Sequence, residues 1–321
     1  NAPVSEAAAA IAKSLLSGDR KAVLLGNGAC AHPQFAQLHA LAMWIANATG
    51  AKLGFTGEAA NTVGGFVANA LPSAAGRAPF AANRKAFVLL HLEPEADVAN
   101  PAAARAALAN AETVIALTAY KSDALLATAD LLLPIAPYTE TSGTFINCEG
   151  TVQSFAGAVA PRGEARPGWK VLRVLGTMLG LAGFDYDTPE AVRDAALAGG
   201  VETRLNNAAP LVAPVAPAAA GLERIADVAL YHSDATVRRS ASLQATATAK
   251  AALSAQLPVA LCAQLGVKDG EMVRVSQDGH AVIMPVRADA ALAANTVRIA
   301  AGTPASAQLG AMFGAVQIER A

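Results

Sequence analysis

Apolar residues along the first two thirds of the chain follow two alternating patterns. Short apolar runs of strand length are separated by segments with helical spacing, as at Phe35, Leu38, Ala42 and Ile45 in a predicted helix at 34–49. Strands that alternate with helices in this way are joined by right-handed crossovers and lie parallel. The sequence therefore predicts an α/β fold with a doubly wound, mostly parallel sheet. Its five predicted strands are 21–25, 51–55, 84–91, 113–118 and 130–133.

The pattern changes in the last third of the chain. Residues 206–221 contain three prolines and no charge, which is typical of an extended linker. Beyond them, two strands flank the turn sequence Asp278-Gly279, and a third strand follows, which indicates a small β-barrel. These strands are predicted at 271–277, 280–287 and 295–300. We therefore predict an α/β domain at 1–205, a linker at 206–221 and a barrel domain at 222–321.

Three other segments lie between the predicted strands and the linker. Residues 61–65 indicate a cluster of turns, and 71–83, with two prolines and a glycine, indicates a surface loop. A row of apolar side chains at helical spacing predicts a buried helix that ends near Gly180. The row comprises Trp169, Val171, Leu172, Val174, Leu175 and Met178.

The composition limits the classes of partner that we expect. Hydrophobic residues make up 54% of the chain and charged residues 15%, enough apolar surface for two cores. A net charge of −1 provides no basic field, so nucleic acid is not an expected partner. The longest apolar runs fall well short of the ~20 residues of a spanning helix, so we expect no membrane insertion. The first residues also lack the pattern of a signal peptide.

The cysteines and histidines give no pattern typical of a metal site. Cys30, Cys148 and Cys262 lie more than a hundred residues apart, which argues against a disulfide framework and indicates a reducing compartment. Three isolated thiolates also cannot supply the four ligands of a ferredoxin-type cluster. No HExxH or GxSxG motif is present. We predict no metal site and no catalytic residue. The scattered histidines are His32, His39, His91, His232 and His280.

One glycine motif follows the first predicted strand. Gly26, Gly28 and Ala31 match GxGxxA between a strand and a helix, the context of a dinucleotide-binding loop. The acidic residue that such loops have about twenty positions later is misplaced, because Glu58 lies about thirty residues after Gly28. We predict a structural tight turn, and a stand-alone nucleotide-binding module is the alternative.

Polar side chains are densest at 139–150, directly after the last strand of the predicted sheet. Such a loop leaves the carboxyl end of a parallel strand, where doubly wound sheets bind ligands, and its glycines allow close backbone approach. The same residue types also bond to their own backbone in tight turns. Both interpretations stay open. The residues concerned are Glu140, Gly143, Thr144, Asn147, Glu149 and Gly150.

The motifs around this loop resemble those of the molybdopterin oxidoreductase superfamily. The resemblance is carried by Ala129-Asp-Leu-Leu-Leu-Pro134 and by Glu140-x-x-Gly-Thr-Phe-x-Asn-x-Glu-Gly150. Within the superfamily, segments 151–155 and 163–176 are most similar to the family of the G subunit of bacterial NADH-quinone oxidoreductase, respiratory complex I. Segment 261–275 resembles the dinucleotide-binding C-terminal domain of the superfamily, a six-stranded double-psi barrel.

The resemblance also implies a set of site residues. Segment 231–243 is similar to a motif that approaches the phosphates of the pterin dinucleotide, but Asp234 stands where a small residue would admit a phosphate, and its charge would repel one. Arg238 and Arg239 are predicted to be solvated or to pair with a carboxylate at a domain interface. We therefore expect a vestigial cofactor crevice. It would be shaped by Glu140, Gly143, Thr144, Asn147, Glu149, Gly150, His232 and Ser233.

The function that the resemblance implies is that of the C-terminal portion of a complex I subunit whose parent carries electrons from NADH toward quinone. The iron-sulfur clusters would lie in the N-terminal part of the parent, and this portion would be a scaffold without a cofactor. Its partners would be other peripheral-arm subunits on the cytoplasmic side of the inner membrane. The alternative is the cofactor-holding half of an active, formate dehydrogenase-like molybdopterin oxidoreductase.

Overall fold

A computed structural model describes residues 4–71, 79–80, 84–209 and 221–321. The described residues form two compact units. The first unit lies within 1–70, 145–153 and 196–218, and the second within 71–144, 154–195 and 219–321. Most of the predicted linker and of the predicted loop at 71–83 lies outside the described residues. The division at 206–221 stays a prediction.

The first unit contains a small parallel sheet and four helices. Strand β1 (Ala22–Leu25) pairs with β2 (Lys52–Phe55). Ser5 caps the first helix, since its Oγ accepts a hydrogen bond from the Ala8 amide. Val67, Ile146 and Val201 form the buried core of this unit. The helices are α1 (Glu6–Ser17), α2 (Asn27–Cys30), α3 (Phe35–Thr49) and α4 (Thr62–Val67).

Residues 61–65, predicted to be a cluster of turns, instead begin helix α4. The Asn61 side chain accepts a hydrogen bond from the Ile146 amide at 2.9 Å, although the two residues are far apart in sequence. A Cβ atom at position 64 would lie 1.9 Å from Asn61 Oδ1, so Gly64 is required by this packing. The prediction was wrong because Gly64 makes room for the Asn61 side chain, which bonds to Ile146, and the segment continues as a helix rather than a turn.

The second unit begins with a three-stranded parallel sheet, β3 (Ala86–Leu90), β4 (Thr113–Thr118) and β5 (Leu131–Pro134). The crossover helices are α5 (Pro101–Ala109) and α6 (Asp123–Thr128), capped by the side chains of Asn100 and Ser122. The α/β class and the parallel pairing are confirmed. The five predicted strands lie in two sheets, however, because hydrophobic periodicity does not determine which strands pair. The core includes Phe87, Leu89, Leu108, Val114, Ala116 and Leu125.

A hairpin and two helices follow the sheet. The hairpin consists of β6 (Gly143–Ile146) and β7 (Val152–Phe155), and the helices are α7 (Gly168–Met178) and α8 (Pro189–Ala196). Helix α7 was predicted to be buried, which is wrong: of its residues only Gly176 is buried, and Met178 is 81% exposed. The periodicity gave the apolar face correctly but not whether another element covers it.

The C-terminal part of the second unit is a curled, mixed sheet. Its described strands follow the order β13-β8-β12-β9-β11-β10-β14. Since β13 and β14 stand at opposite edges and only Val316 separates them in sequence, the sheet curls until its edges come together. The predicted barrel is confirmed, with seven strands rather than six. The strands are β8 (Glu223–Ile225), β9 (Ala255–Pro258), β10 (Met272–Gln277), β11 (His280–Asp289), β12 (Thr296–Arg298), β13 (Gly314–Ala315) and β14 (Gln317–Arg320).

The predicted turn between β10 and β11 is present. Asp278 and Gly279 both have positive φ, 51° and 80°, as a tight type I′ hairpin turn requires. Short helices connect the other strands: α9 (Ala235–Arg238), α10 (Ala241–Gln244), α11 (Ala247–Ala251) and α12 (Val259–Leu265). None of the helices in the described ranges has the length and hydropathy needed to cross a bilayer.

Candidate functional site

The candidate site lies beyond the carboxyl ends of β3 and β4, where parallel α/β sheets bind ligands. His91 follows β3 with φ of 49°, unusual for a residue other than glycine, and its amide bonds to the Leu117 carbonyl. The chain then turns so that the Glu93 side chain, only 6% exposed, lies in the interior. Residues Glu93 and Asp97 from this turn meet Arg238 and Arg239. We call these four residues the Glu93 cluster.

Short ion pairs hold the Glu93 cluster together. Arg238 Nη2 lies 3.0 Å from Glu93 Oε2, and Arg238 Nη1 lies 2.9 Å from Asp97 Oδ1. Arg239 Nη2 lies 2.6 Å from Glu93 Oε1, and its guanidinium stacks 4.6 Å from the centre of the Tyr120 ring. Asp97 also accepts a hydrogen bond from the Glu93 amide at 2.7 Å. Of the two alternatives predicted for these arginines, solvation or pairing with a carboxylate, the structure shows the pairing.

Electrostatics favour the charged state of Arg238. Burial acts to lower the pKa of its guanidinium, but the hydrogen bond and charge of Asp97, with the charge of Glu93, outweigh burial and raise the pKa. Buried ions need such partners, because a charge without one keeps its full desolvation cost. The cluster is therefore a fixed, internally neutralised part of the structure.

The residues of this site do not fit the phosphates of a pterin dinucleotide. Asp234 caps α9, and its Oδ1 accepts hydrogen bonds from the amides of Thr236 at 2.8 Å and Val237 at 3.0 Å. Those amides are the donors that an anion at this helix terminus would use. The nearby cations, Arg238 and Arg239, already pair with Glu93 and Asp97. A phosphate here would have to displace three carboxylates of the chain itself.

His232 and Ser233, two of the residues predicted for the crevice, lie beside the Glu93 cluster. The His232 carbonyl accepts a hydrogen bond from Arg238 Nη1 at 3.0 Å, and the residue is 5% exposed. Burial lowers the pKa of His232, and the charge of Arg238 adds to this effect, whereas a backbone hydrogen bond at Ala249 opposes it. Ser233 Oγ donates to the Leu230 carbonyl at 2.9 Å. Both residues thus have structural contacts.

Three of the other predicted residues lie at the open end of the hairpin. Glu140 accepts a hydrogen bond from the Arg162 amide at 3.1 Å, and the Thr144 hydroxyl lies 3.0 Å from that of Ser154 on the opposite strand. At position 143 a Cβ would lie 2.4 Å from the Phe155 ring, so Gly143 is needed for packing. The contacts of Gly143 and Thr144 lie within the hairpin, and Glu140 binds the segment that follows it.

The remaining three residues form the turn of the hairpin. Asn147 Oδ1 accepts hydrogen bonds from the amides of Glu149 at 3.0 Å and Thr151 at 2.9 Å. Gly150 has φ of 86°, and a Cβ there would lie 2.4 Å from a methyl carbon of Leu205. These are the contacts of a tight turn, one of the two interpretations that the sequence left open. A role of the hairpin residues in a crevice stays a prediction.

The glycine motif at 26–31, which also contains Cys30, lies in the first unit. After Gly26 the chain forms the single-turn helix α2, and Gly26 has φ of −84°, which any residue can adopt. Glu58 lies close enough to Cys30 that its charge adds to burial in raising the pKa of that thiol. Within the described ranges, no group of three or more His, Cys, Asp or Glu side chains has an arrangement suited to a metal ion.

Sequence reasoning missed a cavity of about 700 Å³ in the barrel part of the second unit. Arg298 forms a bidentate pair with Asp227 at its wall, with N–O distances of 2.8 and 2.7 Å. The hydrogen bonds with Asp227 raise the pKa of Arg298. Arg287 and Asp289 also line the cavity, so its arginines and aspartates balance in number. It therefore lacks the positive charge of an anion site.

Sequence reasoning also missed Glu93 and Asp97. The signal that would have identified them is the acidic segment Glu93-Pro-Glu-Ala-Asp97, which comes directly after a predicted strand. Carboxylates at the carboxyl end of a parallel strand lie where a doubly wound sheet has its functional crevice. Their partners could not be identified, because Arg238 follows Glu93 by 145 residues.

Comparison with known proteins gives relatives of two kinds, subunits of NADH oxidoreductases and a putative formate dehydrogenase of Staphylococcus aureus. The latter is 36% identical over 66 residues, 21% of this chain and 7% of that protein. The G subunit of NADH-quinone oxidoreductase from Streptomyces coelicolor is 32% identical over 203 residues, 60% of this chain and 23% of that protein. The mitochondrial NADH-ubiquinone oxidoreductase 78 kDa subunit of Candida albicans is 46% identical over 65 residues, 20% of this chain and 9% of that protein. The matches therefore span less than a quarter of each relative.

Acetylene hydratase from Pelobacter acetylenicus has a similar fold, with a TM-score of 0.53 over 74% of this chain and 44% of that one. At 16% identity, this likeness concerns the fold alone. The sequence profile described as Molybdopterin oxidoreductase matches residues 2–178, more than half of the chain. The resemblance found from the motifs is thus confirmed, and the chain belongs to the molybdopterin oxidoreductase family.

Proposed function

We propose that this chain is a structural part of the G subunit of a complex I, acting as a scaffold in the peripheral arm without binding a molybdopterin. The parent would carry electrons from NADH toward quinone, with the iron-sulfur clusters held elsewhere in the parent. The sequence relatives support this assignment, because they are named as subunits of NADH-quinone and NADH-ubiquinone oxidoreductases. The partners would be other peripheral-arm subunits, on the cytoplasmic side of the inner membrane.

The observation that carries the scaffold role is the Glu93 cluster. In a cofactor-binding member we would expect free amides and unpaired cations at the carboxyl edge of the sheet, ready for phosphate. Here Asp234 accepts the hydrogen bonds of the α9 amides, and Glu93 and Asp97 form ion pairs with the arginines. Using the crevice for an internal ion network suits a domain whose task is to hold its shape among partner subunits.

The first test is chemical analysis of the purified, full-length parent. Iron without stoichiometric molybdenum, tungsten or pterin is the expected result. Pterin with stoichiometric metal would overturn the proposal and favour the alternative, an active molybdopterin oxidoreductase of which this chain is the cofactor-holding half.

The second test separates a scaffold from a site that takes part in the reaction. Arg238→Met in the assembled complex should lower the yield of complex, while each assembled complex keeps its rate of NADH oxidation by quinone. Arg274→Met is the matched control, because its pair with Glu319 is exposed, and it should change neither quantity. A loss of rate at unchanged yield would contradict the scaffold role.

A further inference from the structure

An exposed apolar groove runs along helix α7 in the second unit. The groove has a volume of about 520 Å³. Six apolar and three cationic residues line it, and none of these is a carboxylate. The side chain of Met178 is 81% exposed and that of Val174 is 49% exposed. The lining includes Arg166, Trp169, Lys170, Arg173, Val174 and Met178.

The angular positions of the residues around helix α7 explain why the groove side of the helix is exposed. Gly176 packs against the Phe184 ring so closely that a Cβ would lie 2.3 Å from it, which fixes the buried side of the helix. Lys170, Val174 and Met178 are four residues apart and therefore form one stripe on another side. The stripe is apolar at its centre and carries a cation at its N-terminal end.

The cations of the groove have little compensation from the chain. Arg173 lies 3.2 Å from Asp187, whose side chain is 92% exposed, so the attraction is strongly screened. Lys170 lies 5.5 Å from the centre of the Trp169 ring, and Arg166 donates to the carbonyls of Gly163 and Ala165. Across the part of the chain that the structure describes, neither Lys170 nor Arg166 has a carboxylate within ion-pair distance.

We propose that the groove docks an acidic amphipathic helix of a partner subunit, an inference that rests on the proposed scaffold role. The 11 residues of α7 span about 16 Å, enough to contact about three turns of another helix. Apolar side chains of the partner, spaced i, i+3, i+4 and i+7, would fill the space between Trp169, Val174 and Met178. Its carboxylates would pair with Lys170 and Arg166.

The test uses tryptophan emission from the full 321-residue chain. Trp44→Phe leaves Trp169 as its only tryptophan. The probe is a synthetic helical peptide of leucines on one face and glutamates on the other, and the matched peptide has lysines in place of the glutamates. We expect saturable binding of the glutamate peptide with a blue shift of Trp169 emission, weakened by salt. Equal binding of both peptides, or no saturable binding of the glutamate peptide, would overturn the inference.

Variants locate the binding in the groove. Val174→Asp and Lys170→Glu should each weaken binding of the glutamate peptide at least tenfold, whereas Lys268→Glu, the same charge change on an exposed barrel residue, should leave it unchanged. Equal effects of Lys170→Glu and Lys268→Glu would mean that only net charge matters, against the inference. Vesicles of phosphatidylglycerol that shift Trp169 emission, when the peptide does not, would also overturn it in favour of a lipid surface.

The docking inference and the proposed function are tested by different experiments. Metal and pterin analysis of the parent tests the function and does not involve the groove. In the parent, Val174→Asp should lower the recovery of assembled complex, while the isolated variant chain keeps the melting temperature of the wild type. Normal assembly of the Val174→Asp complex would overturn the docking inference. It would not affect the proposed function, which the metal and pterin analysis tests separately.

Discussion

Two buried arginines of the second unit have pKa values shifted in opposite directions. Burial lowers the pKa of Arg224 to about 10, because its partners, Gln277 Oε1 and the Ala311 carbonyl, both at 3.0 Å, carry no charge. Burial acts on Arg238 in the same direction, but Asp97 and Glu93 reverse the result. Removing one partner from such a buried pair typically costs about 3–5 kcal/mol. The carboxylates therefore fix the position of Arg238.

At the residue scale, His232 gives the molecule a predictable dependence on pH. Burial lowers the pKa of His232 below its ordinary value of 6.5, so the folded state takes up a proton on this imidazole less readily than the unfolded chain does. The unfolded chain, with a pKa of about 6.5, takes up the proton first as the pH falls. The contribution of this residue to stability is therefore complete above pH 6.5 and decreases as the pH falls toward the folded pKa.

The variant His232→Gln removes this titration. We expect its free energy of unfolding, measured by urea denaturation, to decrease less steeply between pH 6.5 and pH 5 than that of the wild type. His280→Gln, the same substitution on the exposed end of β11, is the matched control. A slope for His232→Gln that equals the wild-type slope would contradict the assignment.

Residue types alone indicated half of the Glu93 cluster. The adjacent cations Arg238 and Arg239 predicted either a solvated pair or an ion pair with a carboxylate, and the structure shows the second. The acids could not be assigned, because nothing local in the sequence links Glu93 to a residue 145 positions away. In the hairpin, by contrast, the contact is local: Asn147 bonds to its own turn, as its residue type indicated.

At the element scale, Gly176 determines how α7 packs. Alanine is ordinarily better than glycine in a helix by about 1 kcal/mol. A Cβ at this position would lie 2.3 Å from the Phe184 ring, however, and overpacking of this kind typically costs about 1–3 kcal/mol. We expect Gly176→Ala to lower the free energy of unfolding, as measured by urea denaturation.

Two further variants separate packing from helix propensity. Gly65→Ala, in helix α4 where a Cβ has no neighbour within 4 Å, should raise stability instead. Phe184→Ala should remove the clash, so that Gly176→Ala is no longer destabilising in that background. If Gly176→Ala is destabilising to the same extent with and without Phe184, the contact with Phe184 is not the cause.

The elements themselves were largely predictable, because their signals are local. Ser5, Asn100 and Ser122 cap α1, α5 and α6 with their side chains, and these residue types are the usual signals for the start of a helix. Burial of α7 was predicted wrongly because a helical period shows that a face is apolar but not which element covers it. The start of α4 was missed for a similar reason: Gly64 makes room for Asn61, a contact that composition alone assigns to a turn.

At the scale of the whole molecule, the barrel and the three-stranded sheet belong to one unit. The Glu93 cluster connects the turn after β3 to α9, and the Met312 amide donates to the Ala99 carbonyl at 2.9 Å. The Arg105 side chain also donates to the Ala307 carbonyl. The sequence predicts a domain boundary at 206–221 from composition, which carries no information about side-chain contacts between the segments before and after it, and the boundary stays a prediction.

These contacts predict that the sheet and the barrel unfold together. In hydrogen exchange at increasing urea, we expect the amides of β3–β4 and β10–β11 to reach the same free energy of opening, because an ion cluster with side chains mostly buried joins the turn after β3 to α9, in the segment between barrel strands β8 and β9. Arg238→Met leaves Glu93 buried with weaker compensation and should separate the two free energies, with the less stable part opening first. Arg274→Met, which removes an exposed pair, should leave them equal. Two distinct free energies already present in the wild type would mean that sheet and barrel are independent domains divided at 206–221, and that the Glu93 cluster adds little to their coupling.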